Sequence, residues 1–166
     1  MPSSRQSFAI DTIFGVVAVA AIPKCGTHTL HSIKKFMIDA DQLYDYKTRV
    51  AIVRNPLDRL RGFYHFCMQR HIPLGSQIVD VWEDYVDLAL VSNDEHVTPQ
   101  SEFIGESFNV LVKIESMSKY LDSVRLTETP RLNQSTRDIE VDLSYRIDDI
   151  NERYRNDFAI YSRALG

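Results

Sequence analysis

The sequence predicts an α/β domain with a central parallel sheet flanked by helices. Val16 to Ile22 and Val50 to Val53 are continuous apolar runs, as expected of strands buried on both faces. Each run is followed by turn-forming residues and then by apolar positions at helical spacing. Strands alternating with helices in this way build parallel sheets covered on both sides.

Taken in order, Met1 to Gln6 are polar and expected to fray. After the run 16–22, Gly26 and Thr27 mark a turn, and Leu30, Ile33 and Met37 share one face of a helix. After 50–53, Asn55-Pro56 is a helix start, with Asn as cap and Pro in the first turn. Leu57, Leu60, Phe63, Tyr64 and Cys67 give that helix its apolar face, and Ile78, Trp82, Tyr85 and Ala89 mark the next one. The polar break Ser92-Asn93-Asp94 follows. A third strand is expected over Asn109 to Ile114, then a helix carrying Met117, Tyr120, Leu121 and Val124. Thr127 to Asp138 is polar, holds Pro130 and reads as a long loop. Ile147, Ile150, Tyr154 and Phe158 make the last helical face. With no repeat, low-complexity tract or linker, the 166 residues read as a single domain, 1–166.

A composition of 44% hydrophobic and 25% charged residues is that of a globular chain. The net charge of −4 argues against a nucleic-acid partner, because backbone binding needs a basic surface. It leaves room for a local basic pocket. The apolar stretch Ile13 to Ile22 is shorter than the roughly 20 residues that a membrane span requires. Pro23-Lys24 stands where a signal peptide would carry its cleavage site, so a cytoplasmic location is expected. Cys25 and Cys67 lack CxxC spacing, which predicts free thiols and no metal site.

Ligands of open α/β sheets sit where strands lead into helices at their carboxyl ends. The loop Pro23-Lys24-Cys25-Gly26-Thr27-His28-Thr29 occupies such a place. Unpaired amides and the helix dipole favour an anion there. Gly26 would admit close backbone approach, Thr27 and Thr29 would add hydroxyl donors, and Lys24 a mobile charge. The Walker A pattern is absent, since Lys24 precedes Gly26, and this argues against a nucleotide kinase. Alone, the loop is equally well read as a strand-to-helix turn with a solvated lysine.

The loop has companions. Pro23-Lys24-x-Gly26-Thr27-x-Thr29-Leu30 resembles the 5′-phosphosulfate loop of the sulfotransferases, nearest to their carbohydrate (Golgi-type) branch and its bacterial relatives. Val53-Arg54-Asn55-Pro56-Leu57-Asp58-Arg59-Leu60-Arg61-Gly62-Phe63-Tyr64 is similar to the family's 3′-phosphate motif. His96-Val97-Thr98-Pro99-Gln100, Lys113-Ile114-Glu115, Leu132-Asn133-Gln134-Ser135 and the tail Ile150-Asn151-x-x-Tyr154-x-x-Asp157-Phe158 resemble further segments of that branch, in family order.

The resemblance implies a three-layer P-loop-like fold and transfer of a sulfuryl group from 3′-phosphoadenosine 5′-phosphosulfate (PAPS), without a metal. The acceptor would be a hydroxyl or amine, on a saccharide. Lys24 would neutralise the bridging oxygen, while Cys25, Gly26, Thr27, His28 and Thr29 line the phosphosulfate loop. Arg54 would hold the 3′-phosphate. The motif's serine is replaced here by Gly62, which removes a hydroxyl contact that Arg61 or the 127–138 loop would have to supply. Arg59 reads as a helix-surface or structural arginine.

The acceptor's proton needs a base. His96 is the first candidate, because it opens the segment before the Pro99 turn. It reads equally well as a loop histidine that shapes the acceptor site. Asp45 is the second candidate and Asp41 the third, since some branches place a carboxylate at a comparable distance after the lysine loop. A competing function is a degenerate domain of the same fold that binds the nucleotide or a partner without turnover.

Overall fold

The computed structural model describes residues 7–39, 41–105, 107–124 and 140–166. The two apolar runs lie side by side in its sheet. Strand β2 (Gly15–Ala20) pairs in parallel with β4 (Arg49–Val53), with Val19 beside Val50. On its other side, β4 pairs in parallel with β5 (Val110–Lys113), from Val50 beside Val110 to Val53 beside Lys113.

The rest of the sheet departs from the parallel expectation. Strand β1 (Ser7–Thr12) forms an antiparallel hairpin with β2, and β3 (Phe36–Ile38) lies antiparallel outside β1. The order β3-β1-β2-β4-β5 therefore makes a mixed five-stranded sheet. A tight turn is what permits the hairpin. Gly15 takes φ 103°, the Thr12 hydroxyl donates to the Gly15 carbonyl at 2.7 Å, and the same oxygen accepts from the Phe14 amide.

Helix α1 (Thr27–Ile33) follows β2, and α2 (Pro56–Arg70) follows β4. The predicted start of α2 is present: the Asn55 side chain accepts from the Leu57 amide, with Pro56 as the first helical residue. Helices α3 (Trp82–Val91), α4 (Gln100–Ile104), α5 (Met117–Val124), α6 (Ile147–Arg153) and α7 (Arg155–Arg163) complete the described helices. Met37, expected on the first helix, lies instead in β3, because the chain turns extended at Lys34. The expected 127–138 loop and the Met1–Gln6 end lie outside the described residues.

Strand alternation sorts the core into two sheet faces. Phe8, Ile10, Val17, Val19, Val50, Ile52 and Val112 pack against Leu30 of α1 and Met117 and Leu121 of α5. The opposite face carries Ala20, Ala51 and Val53 and meets Ile104 of α4 and Ile160 and Tyr161 of α7. A separate cluster, with Phe63, Tyr64, Trp82, Tyr85, Ile150 and Tyr154, joins α2, α3 and α6. Trp82 and Tyr85 thus serve as core. Among the described residues no helix is long and apolar enough to cross a membrane.

Candidate functional site: two cations at the strand ends

The loop after β2 reaches α1 through two left-handed residues, Lys24 at φ 64° and Gly26 at φ 79°. For a side chain as large as lysine this conformation costs about 1–2 kcal/mol. Glycine is needed at 26 for a second reason. A Cβ there would lie 2.7 Å from Met117 Sδ, so the missing side chain makes room for α5. Thr27 donates its hydroxyl to the Ile22 carbonyl at 2.8 Å, and Thr29 is buried. The threonines therefore brace the loop. The amides of Gly26, Thr27 and His28 have no acceptor among the described residues and are the donors this loop can offer. Cys25 points inward, its thiol 3.0 Å from Gln100 Oε1, and burial pushes it up to about 11. It contributes backbone to the loop and no reactive sulfur. His28 is exposed on the first turn of α1.

Arg54 follows β4 directly, so its side chain and the Lys24 loop leave neighbouring parallel strands at the same end. Among the described residues the Arg54 guanidinium has no carboxylate or other hydrogen-bond partner. It lies over Gly62, where a Cβ would come within 2.8 Å of Nη1 and 3.3 Å of Cζ. The glycine that stands where the resembled motif has serine is thus the floor on which the arginine rests. Arg61, considered as a replacement for the lost serine, pairs instead with Asp58 at 3.0 Å.

Three buried polar residues hold these two loops in register. Gln100 Oε1 accepts from the Arg54 amide at 2.9 Å, and Nε2 donates to the Arg54 carbonyl at 2.8 Å. The same Oε1 receives the Cys25 thiol. Asp157 of α7 accepts from the Gln100 and Ser101 amides at 2.7 and 2.8 Å, capping α4 with negative charge where its dipole favours it. Arg59 is buried, not on the helix surface. Its guanidinium donates to the carbonyls of Pro23, Glu95 and Thr98, joining the lysine loop to the 95–98 segment. Tyr154 donates to Val97 O at 2.6 Å. The motif residues Gln100, Tyr154 and Asp157 are therefore struts of the site.

The α2 residues Phe63 and Phe66 form an aromatic wall beside the loop. Lys24 Nζ lies 3.5 Å from the Phe66 ring centroid and 5.4 Å from that of Phe63. Burial lowers the Lys24 amine to about 8, and the Arg54 and Arg70 charges act in the same direction, while the Cys67 thiol opposes them. No carboxylate is among those influences. His96 stacks on Phe63 with centroids 4.4 Å apart and planes at 10°. Its Nδ1 is 2.9 Å from Asp94 Oδ1, and that oxygen also accepts the His96 amide at 2.8 Å. Donation from Nδ1–H to the carboxylate leaves Nε2 as the basic nitrogen. His96 and Lys24 therefore share the Phe63 ring.

Asp45 belongs to a different segment. It ends a 3₁₀ turn (Gln42–Asp45) that precedes β4, at the amino end of the strand whose carboxyl end carries Arg54. Leu43 of this turn packs against Ala9, Ala18 and Ile38. Asp41 lies at the start of the same turn. The structure thus brings Lys24, Arg54, Gly62 and His96 to one region, whereas Asp41 and Asp45 lie on the segment that joins β3 to β4. Leu132 to Ser135 lie outside the described residues. Among those described, no three His, Cys, Asp or Glu side chains gather as metal ligands would.

No protein-family model, curated protein or solved structure matches the chain.

Proposed function

We propose that the chain is a sulfotransferase of the three-layer P-loop-like kind that takes PAPS as donor. The observation that carries this reading is the pair of cations, Lys24 and Arg54, at the carboxyl ends of adjacent parallel strands, with no carboxylate among the described residues facing either. Two uncompensated charges in a chain of net charge −4 call for a ligand with two separated anionic groups. A nucleotide bearing a 5′-phosphosulfate and a 3′-phosphate supplies both.

In this reading the loop amides of residues 26–28 and Lys24 receive the phosphosulfate, and the Arg54 fork receives the 3′-phosphate. The acceptor oxygen, or nitrogen, attacks sulfur in line with the bridging oxygen. A new bond to sulfur forms as the bond to the bridging oxygen breaks, and 3′-phosphoadenosine 5′-phosphate leaves. Lys24 meets the charge that develops on the bridging oxygen. His96 Nε2 takes the acceptor's proton, and Asp94 stabilises the resulting imidazolium. The aromatic wall of Phe63 and Phe66 suits the apolar face of a saccharide acceptor.

Calorimetric titration with 3′-phosphoadenosine 5′-phosphate against adenosine 5′-monophosphate tests the donor assignment. Selective binding of the bisphosphate is expected, and equal binding, or none, sinks it. Sulfate transfer from PAPS by the wild type, lost in Lys24→Ala, then tests the enzyme. Binding without transfer by the wild type would leave a nucleotide-binding domain of the same fold.

A further inference from the structure

We propose that Phe66 is the positioning residue of the Lys24 ammonium, its ring fixing where the amine sits and keeping it protonated. The proposal rests on the reading of Lys24 as the cation that meets the donor. Its geometric basis is separate. Of the two rings that face Lys24 Nζ, Phe66 is the nearer, at 3.5 Å from the centroid, with Phe63 at 5.4 Å. Among the described residues, every full charge acting on the amine is positive: Arg54 from the β4 end and Arg70 from the last turn of α2. Arg70 itself lies 4.8 Å from the same Phe66 ring. Cys67 is the one group of opposite tendency, and burial raises its thiol to about 11, so at neutral pH it carries no charge. From the 94–99 segment, Asp94 acts on Cys67, and His96 stacks on Phe63.

Among the described residues, the ring face is the attraction set against two repelling cations and partial burial. The negative quadrupole of an aromatic face attracts an ammonium without neutralising it. A carboxylate in that place would hold the lysine in a closed ion pair, whereas a ring lets it turn to a more strongly anionic group. Phe66 thus gives the amine a defined position at little cost to its availability. The helix places the ring for this task, since Phe63, Phe66 and Arg70 recur at spacings of three and four on α2.

The test is competitive labelling of the lysine amines with acetic anhydride from neutral to alkaline pH, reading the midpoint for Lys24 by peptide mass spectrometry. It needs no nucleotide. If the ring holds the cation, Phe66→Leu lowers the midpoint by roughly one pH unit, and Phe66→Trp, with the stronger π face, raises it. If the ring only covers the amine, the sign reverses. The smaller leucine then admits water, and the midpoint climbs toward the 10.5 of an unperturbed lysine. A rise, or no change, in Phe66→Leu overturns the proposal. Should that variant not fold, Phe66→Trp decides alone, a rise supporting the assignment and an unmoved or lower midpoint refuting it. Failure of the wild type to bind 3′-phosphoadenosine 5′-phosphate would refute the donor assignment and leave the labelling result intact.

Discussion

The guanidinium of Arg54 rests on the bare α-carbon of Gly62, so near that a single added carbon would lie 2.8 Å from Nη1. Because that atom ends a flexible side chain, a substituent at 62 displaces the arginine rather than the helix. Gly62→Ala is therefore expected to separate stability from binding. Alanine in a helix interior is favoured over glycine by about 1 kcal/mol, so the melting temperature should hold or rise. Affinity for 3′-phosphoadenosine 5′-phosphate should fall about tenfold as the charge-assisted contact is disturbed. Gly62→Ser, which introduces the serine of the sulfotransferase motif the segment resembles, should behave like alanine and not recover affinity. Tighter binding by the serine variant would show that the guanidinium is held elsewhere.

Lys24 illustrates the reverse trade. Its folded-state amine is lowered to about 8 from 10.5, with burial the largest cause. Between those two values the unfolded chain binds more protons, so stability rises with pH across that window. At neutral pH the full difference is felt as a cost. The amine is partly open to screening solvent, which reduces the full linkage value to about 1 kcal/mol. Lys24→Met is expected to be more stable than the wild type at neutral pH by that order. The advantage should shrink as pH rises from about 8 toward 10.5. Urea unfolding at several pH values measures it, and a variant less stable at neutral pH would contradict the burial argument.

Much of this arrangement is legible in the sequence, and the limits have physical causes. The strands β2 and β4 were visible because a doubly buried strand must be apolar along its length. Asn55-Pro56 marked α2 because capping chemistry is local. The hairpin strand β1 escaped notice because its apolar run, Phe8 to Ile10, is only three residues long and reads as the edge of a polar terminus. Met37 fits both a helical spacing and a strand, and only the extended Lys34 decides between them. Motif order links Lys24 and Arg54, and the structure sets them at the same end of adjacent parallel strands. Gln100 and Asp157 lay within recognised segments, but nothing local shows that a glutamine will bond both backbone groups of a residue 46 positions away. Asp45 is suggested by distance along the chain, which does not reveal that its turn packs Leu43 against Ala9, Ala18 and Ile38.

The Asp94–His96 pair predicts a kinetic signature. If Asp94 fixes the tautomer and steadies the imidazolium, Asp94→Asn should reduce sulfate transfer by roughly tenfold to a hundredfold without changing nucleotide affinity. His96→Ala should cost more, about a hundredfold or above. The double variant should be no slower than His96→Ala, because the carboxylate acts only through the ring. Full activity in His96→Ala would remove the histidine from the mechanism, leaving it as the stacking partner of Phe63.

Gln100 makes the strongest case that support and contact can be told apart. It is buried, touches no proposed ligand group, and ties the Arg54 backbone to Cys25 and to the α4 start that Asp157 caps. Gln100→Ala leaves the Arg54 amide and carbonyl without these partners and opens a gap at the junction. A loss of about 2–4 kcal/mol follows from unmade bonds of this kind. Because the freed Arg54 no longer aims its side chain, nucleotide affinity should fall in the same variant. Lys24→Ala should lower affinity with no loss of stability. Measuring unfolding and bisphosphate binding on both proteins distinguishes the strut from the contact. If Gln100→Ala destabilised the fold yet bound the nucleotide as well as the wild type, Arg54 would be aimed by Gly62 and the helix start alone.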